Sequence, residues 1–289
     1  MRADKPSRTA LKVAMAIVTL DKKPGMAGHL PPGIVPATEK LLLASGVAGA
    51  KTLRWARSSK ALAVYKAFDW LMPGQLDAFA HRKAFCEHQV RAAISDGATQ
   101  ILVLGAGYDT TGWRLAPEFP DVTFFEIDHP ATARLKARGI TAMGQPENLV
   151  LLAEDLAAQR LVDVLDIPTW DRQAQTVFVA EGLLMYLSAE VVRDLFLQCD
   201  QLSGEKSRVA FSYIPRGLDG RPDAGRWTGL LLWLRKAAGE PWLWSAEAEN
   251  PGSALQDTSW SVEKLPAEEA VRRGVEYFAV AVKETPESS

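Results

Sequence analysis

The sequence predicts an α/β fold: a Rossmann-like, mostly parallel seven-stranded sheet with helices on both faces, preceded by a helical N-terminal arm. Three observations predict it. Short apolar runs recur after Gly97, at Gln100 to Leu104, Val122 to Ile127, Leu149 to Ala153, Thr176 to Ala180 and Arg208 to Ile214. Helical patterns lie between most of them, for example Ala131 to Arg138 and Ala189 to Leu202. Strands that alternate with helices imply βαβ units and a parallel sheet, whose strands are covered on both faces and so read as unbroken apolar runs. The first run also ends in glycines, Leu104-Gly105-Ala106-Gly107, where doubly wound folds bring backbone close to a ligand.

Taken in order, residues 1–96 read as an all-helical arm. Val13 to Leu20 is a short apolar run preceded by Lys5, Arg8 and Lys12, the pattern of a signal peptide, but Asp21-Lys22-Lys23-Pro24 follows in place of a small-residue cleavage pair. A helix capped by Ser7 or Thr9 and ended by Pro24-Gly25 is the expectation. Residues 25–36 form a loop rich in Gly and Pro. Helical patterns run from Ala37 to Ser59 and from Ala61 to Trp70, Pro73-Gly74 turns the chain, and Leu76 to Ser95 is one helix ended by Asp96-Gly97. Residues 97–289 form the α/β core, with a tryptophan-rich helical insertion at about 216–258. Within it Trp227, Leu230, Leu231 and Leu234 share a helical face, expected either to pack inward or to act as a hydrophobic lid. Trp260 to Leu265, Pro266 to Arg273 and Glu276 to Lys283 close the chain as strand, helix and strand.

Composition excludes several classes. With 47% hydrophobic and 24% charged residues the 289-residue chain is globular rather than disordered or fibrous. Two cysteines, Cys86 and Cys199, cannot build a disulfide framework or a four-ligand zinc site; they fit a reducing, cytoplasmic compartment, and no metal site is expected. No run approaches the roughly 18 apolar residues of a span, so stable membrane insertion is not expected. The net charge of -2 hides an asymmetry: residues 1–91 hold 15 Lys and Arg against 6 Asp and Glu, and the rest hold 18 against 29. A basic arm on an acidic body could attract an anionic substrate or membrane surface; the basic residues are spread out, so mutual attraction of arm and body is the favoured reading, and nucleic-acid binding is not expected.

Four motifs carry chemistry. In Leu104 to Thr110 the third glycine of the dinucleotide fingerprint would fall at Thr110 and is missing, which argues for a nucleoside ligand without a pyrophosphate. Phe125-Glu126-Ile127-Asp128-His129-Pro130 ends the second strand, and an acid about 20 residues beyond the glycines can hold ribose hydroxyls; the alternative for Asp128 is a helix cap. Ala153-Glu154-Asp155-Leu156 ends the third strand, where a carboxylate and a backbone N–H can hold a base. Ala180 to Leu187, AEGLLMYL, places Glu181 in an apolar segment, a costly position unless a site pairs or solvates it.

Together these motifs resemble the leucine carboxyl methyltransferase-like family of class I S-adenosylmethionine-dependent methyltransferases, especially its bacterial small-molecule branch. The LGAG-x-DT loop is matched at Leu104 to Thr110, its continuation at Trp113-Arg114-Leu115, the EVDHP-like strand at Glu126 to Pro130, the Asp-Leu pair at Asp155-Leu156, and an upstream arginine at Arg82. The resemblance runs from about residue 7 to 215. It implies the class I methyltransferase fold, S-adenosyl-L-methionine as cofactor and a small-molecule methyl acceptor. It further implies that Gly105, Gly107 and Asp109 lie against the methionine part, that Asp128 holds the ribose, and that Asp155 and Leu156 hold the adenine. Arg82 would take the methionine carboxylate, and Glu181 would lie at the amino end. Glu181 and Tyr186 are the candidate catalytic residues. No general base stands out, which favours a carboxylate or acidic hydroxyl acceptor, because the former needs none. Alternatives are protein carboxyl methylation, whose acceptor-binding segments are not recognisable, an NAD-dependent oxidoreductase, and a non-catalytic cofactor-binding protein.

Overall fold

The apolar runs become strands whose alternate side chains enter two separate cores. In the computed structural model, which describes residues 6–248, 250–265 and 272–284, the strands are β1 (Gln100–Leu104), β2 (Thr123–Asp128), β3 (Leu149–Ala153), β4 (Thr176–Ala180), β5 (Arg208–Tyr213), β6 (Trp260–Val262) and β7 (Tyr277–Lys283). They form one seven-stranded sheet in the order β3-β2-β1-β4-β5-β7-β6. Neighbours among β1 to β5 are parallel, and β7 runs antiparallel to both β5 and β6. The strand order reverses between β1 and β4. Connections leave that point in opposite directions and open a crevice at the strands' carboxyl ends.

The helices are α1 (Arg8–Leu20), α2 (Ile34–Ala44), α3 (Ala50–Ala56), α4 (Ser59–Phe68), α5 (Gln75–Ser95), α6 (Thr111–Leu115), α7 (Pro130–Met143), α8 (Leu161–Val164), α9 (Ala189–Gln201) and α10 (Thr228–Ala237). Along β1, Ile101 and Val103 face Val18 of α1, Leu41 of α2 and Phe85 and Val90 of α5 in one core. Leu102 and Leu104 face the other core, with Leu161 of α8 and Val192 and Phe196 of α9. Full burial of each such side chain stabilises by about 1.5–3 kcal/mol. The arm is therefore one cover of the sheet. Its α1 begins where expected, with the Ser7 hydroxyl accepting from the Ala10 N–H.

One expectation changes. The pattern from Ala37 to Ser59 is not one helix but α2 and α3. Gly46 takes a left-handed conformation, φ 72°, and the Val47 and Gly46 N–H groups bond back to the Leu42 and Leu43 carbonyls. That arrangement closes a helix and is accessible to glycine at little cost. The tryptophan-rich segment forms α10, and of the four side chains on the face expected either to pack inward or to act as a lid only Leu231 is buried. Trp227, Leu230 and Leu234 are 41%, 39% and 40% exposed. The inner side of α10 packs through Leu231 and Leu232 into a cluster with Met185, Ile214, Trp242 and Val275, against which Leu71 and Met72 also pack, and its outer flank stays open. The helix expected from Pro266 lies, except for its last two residues, outside the described residues.

Candidate functional site

The carboxyl ends of β1 to β4 meet in a cavity of about 260 Å³. Gly105, Gly107 and Asp109 follow β1, Asp128 ends β2, Asp155 and Leu156 follow β3, and Glu181 and Tyr186 follow β4; all of them line it, together with Arg82 of α5. The structure thus brings every sequence-predicted site residue to one place. Gly105 has φ 65°, and a Cβ there would come within 2.9 Å of Leu183 Cδ1, so any side chain would push into the wall. Backbone bonds tie the strand tips together: the Ala106 N–H donates to the Ile127 carbonyl and the Glu154 N–H to the Asp128 carbonyl.

Asp128 is 9% exposed and accepts the Gly107 N–H at 2.6 Å. Burial pushes its carboxyl up, and the Gly107 hydrogen bond only partly offsets this. The cap of α7 is not Asp128 but His129, whose Nδ1 accepts the Ala131 N–H. Glu126 turns away from the cavity into the core, where it pairs with Lys136 at 2.6 Å. Arg114 is a structural ion-pair partner of Glu87, at 2.6 Å. Asp155 is more open, caps the Ala157 N–H, and stands 3.8 Å from His129 Nε2.

A buried charge cluster closes the other end. Arg82 Nε donates to Glu181 at 2.9 Å and its Nη1 to both oxygens of Glu276 at 2.7 and 2.9 Å. Lys83 pairs with Glu181 at 2.9 Å and with Asp109. Burial pulls Arg82 and Lys83 down, but the facing carboxylates outweigh it and hold both cations well above their ordinary range. For Asp109 burial raises the carboxyl, and Lys83, Lys136 and the Thr111 N–H more than reverse that. Both Glu181 oxygens are engaged by cations. Two cations face three carboxylates, which leaves the cluster anionic.

Several residues escaped the sequence reading. Lys83 and Glu276 complete the cluster; Glu276 stands beside an apolar strand, the same signal that marked Glu181. Thr9, Ala10, Val13 and Ile17 of α1 wall the cavity, as do Glu240 and Leu243 beyond α10. Thr9 Oγ1 donates to Glu240 and accepts from Arg235 Nη1 at 3.1 Å, which fastens the arm to the insertion across the cavity. No local pattern marks that bond, because its partners are 231 residues apart. Tyr108 is 3% exposed, and its hydroxyl has no hydrogen-bond partner among the described residues. Cys86 and Cys199 are buried and free, and burial pushes both thiols up, as inert core residues. Among the described residues no group of His, Cys, Asp and Glu could hold a metal ion.

Sheet order, helical cover and a cavity at the switch point define a Rossmann-like α/β protein with the fold of the methyltransferases. A Thermobifida fusca crystal structure provisionally named a methyltransferase superposes with a TM-score of 0.60 at 16% identity, covering 91% of this chain and 98% of that one. The profile of the leucine carboxyl methyltransferase family matches residues 36–199, and the chain belongs to that family. A Mycolicibacterium paratuberculosis (strain ATCC BAA-968 / K-10) protein, provisionally named an S-adenosyl-L-methionine-dependent methyltransferase, is 30% identical over 211 residues, 68% of this chain and 66% of the relative. One of Mycobacterium sp. (strain KMS) with the same provisional name is 32% identical over 154 residues, 50% of this chain and 47% of the relative. The chain thus spans from about half to about two thirds of the length of these relatives.

Proposed function

We propose that the chain binds S-adenosyl-L-methionine in this cavity and transfers its methyl group to an oxygen of a small molecule. The observation that carries the reading is the convergence of Gly105, Asp128, Asp155 and Glu181 from four consecutive strand ends on one cavity. The residues fit the cofactor. The glycine loop has a wall that a Cβ would strike, Asp128 is a buried acceptor of the kind a ribose diol needs, and the anionic cluster suits a ligand bearing a sulfonium and an ammonium. Asp128 holds the ribose, and Asp155 with the Leu156 backbone holds the adenine. Glu181 lies at the ammonium, and the methionine carboxylate takes the Arg82 N–H groups that Glu181 and Glu276 leave free.

The bound sulfonium supplies the electrophile, so the chain aligns the acceptor and excludes water. With both oxygens paired, Glu181 positions rather than takes a proton. Tyr186 and the apolar wall of Val13, Ile17 and Leu243 are left to orient the acceptor. An acceptor already ionised at neutral pH, a carboxylate or acidic hydroxyl, fits a site with no free base.

S-adenosylhomocysteine at about 100 times its dissociation constant is expected to stabilise the fold by about 2.7 kcal/mol, whereas NAD is not. No shift in melting temperature with S-adenosylmethionine or its product would refute the cofactor assignment. With labelled cofactor and a set of small acids and phenols, release of labelled methanol in mild alkali marks a carboxylate acceptor, and an alkali-stable product marks a hydroxyl.

A further inference from the structure

We propose that the outer face of α10 and the end of α4 dock on an anionic lipid surface. α10, TGLLLWLRKA, carries one broad apolar arc. Leu231 faces inward at 3% exposure; Leu234 and Leu230 stand about 60° and about 100° around the helix from it and Trp233 nearly opposite, and these three are 40%, 39% and 62% exposed. Trp70, just beyond α4, packs edge-on against Trp227 with ring centroids 5.2 Å apart. That contact extends the patch to Trp70 and Phe68, 50% and 61% exposed. The apolar arc of α10 is wider than its inner contact covers, and apolar side chains contiguous over two elements mark an interaction surface.

Charge selects the occupant. Neither α4 nor α10 contains an acidic residue. Lys66, Arg226 and Lys236 lie within three residues of the apolar side chains, and none of them is in an ion pair among the described residues. Arg226 lies over the Trp227 ring, 5.6 Å from its centroid. Asp69 is the acid closest in sequence to Trp70, and it is engaged by the Gly74 N–H at 2.9 Å. A second copy would bring the patch against itself across a twofold axis, with Lys66, Arg226 and Lys236 of each copy facing their like and only Asp69 to offset them. Tryptophan and leucine flanked by an excess of lysine and arginine over the single exposed acid Asp69 is the chemistry of a surface lying in the headgroup region of anionic lipid. No described helix is long and apolar enough to cross a membrane, so the contact is interfacial. The chain that follows α10, at Gly239, Pro241 and Leu243, lines the cavity mouth.

The test is flotation with vesicles of phosphatidylcholine alone and of equal parts phosphatidylcholine and phosphatidylglycerol, and it needs no knowledge of the reaction. The full chain is expected to float with the mixed vesicles, not with phosphatidylcholine alone, and to detach as salt rises. Trp233→Ser should lower the partition coefficient by about tenfold and Lys236→Gln by about fivefold. Both side chains are exposed, so both variants should melt like the parent. Failure of the parent to bind the mixed vesicles overturns the proposal, as does binding that neither substitution weakens. A concentration-dependent dimer that Trp233→Ser dissolves, without vesicle binding by the parent, would assign the face to a second copy.

Discussion

Asp128 is a buried carboxylate held by backbone N–H groups, that of Gly107 at 2.6 Å, with no ion pair among the described residues. Its raised folded pKa fixes the sign of its linkage to stability: the folded state holds the proton more tightly, so stability falls as pH rises from the unfolded value, about 3.9, through the folded one. At neutral pH the ionised group is a net burden on the fold. Asp128→Asn keeps an acceptor for the Gly107 N–H and removes the charge. It is expected to melt at or above the parent temperature at pH 7, and a fall of several degrees would show that the charge supports the fold. Tyr108 makes the same argument with a neutral group, its phenol pushed up to about 12 by burial and the nearby Asp128. A buried donor without a partner costs about 1–3 kcal/mol. Tyr108→Phe should therefore raise the stability of the ligand-free protein by about 1 kcal/mol. If the hydroxyl finds its partner in the ligand, the same change should weaken S-adenosylhomocysteine by about fivefold. Both are read from one pair of melting curves, with and without ligand.

At the scale of elements, the cavity depends on α1 and the segment beyond α10, joined by Thr9, Glu240 and Arg235. Thr9→Val keeps the shape and removes the hydroxyl. A half-buried bond to a charged group contributes about 1 kcal/mol, so tryptic cleavage at Arg226 and Lys236 should quicken several-fold while the melting temperature changes little. Unchanged cleavage would mean that packing alone holds α10. The strands that carry the site were legible because parallel strands covered on both faces read as apolar runs, and the glycines, Asp128 and Glu181 stood at their ends. The walls were not. α1 reads as an ordinary amphipathic helix, and nothing local in Thr9 or Glu240 reports a bond across 231 residues. The sequence left open whether the apolar face of α10 packs inward or stays uncovered, because helical periodicity shows which residues share a face, not whether anything covers it.

Over the whole molecule, the basic arm and acidic body meet at the site. Arg82 and Lys83 of the arm pair with Glu181, Glu276 and Asp109 of the body, and Arg91 pairs with Glu118 at 2.7 Å. The charge asymmetry seen in the sequence thus has an internal partner. Asp109, held below its ordinary value, contributes stability that is complete above about pH 4 and is lost as pH falls through the folded value. Lys83, held above its own, contributes stability that is complete below about pH 10 and is lost as pH rises through the folded value. These are two views of one pair. Asp109→Asn leaves Lys83 paired with Glu181 and removes one charged hydrogen bond, and should cost about 1.5–3 kcal/mol at pH 7. The gap should narrow as the parent is acidified below pH 4, and a gap constant in pH would show that Asp109 acts through shape instead of charge.

The central claim is that four strand ends of this chain build one S-adenosylmethionine site with Asp128 at the ribose. Calorimetric titration of S-adenosylhomocysteine into the parent and into Asp128→Asn tests it most directly. A charged acceptor to a ribose hydroxyl contributes about 1.5–3 kcal/mol, so one site per chain is expected in the parent and an affinity at least tenfold weaker in a variant that melts no lower. No binding heat in the parent at several temperatures, or the same dissociation constant in both proteins, would contradict it.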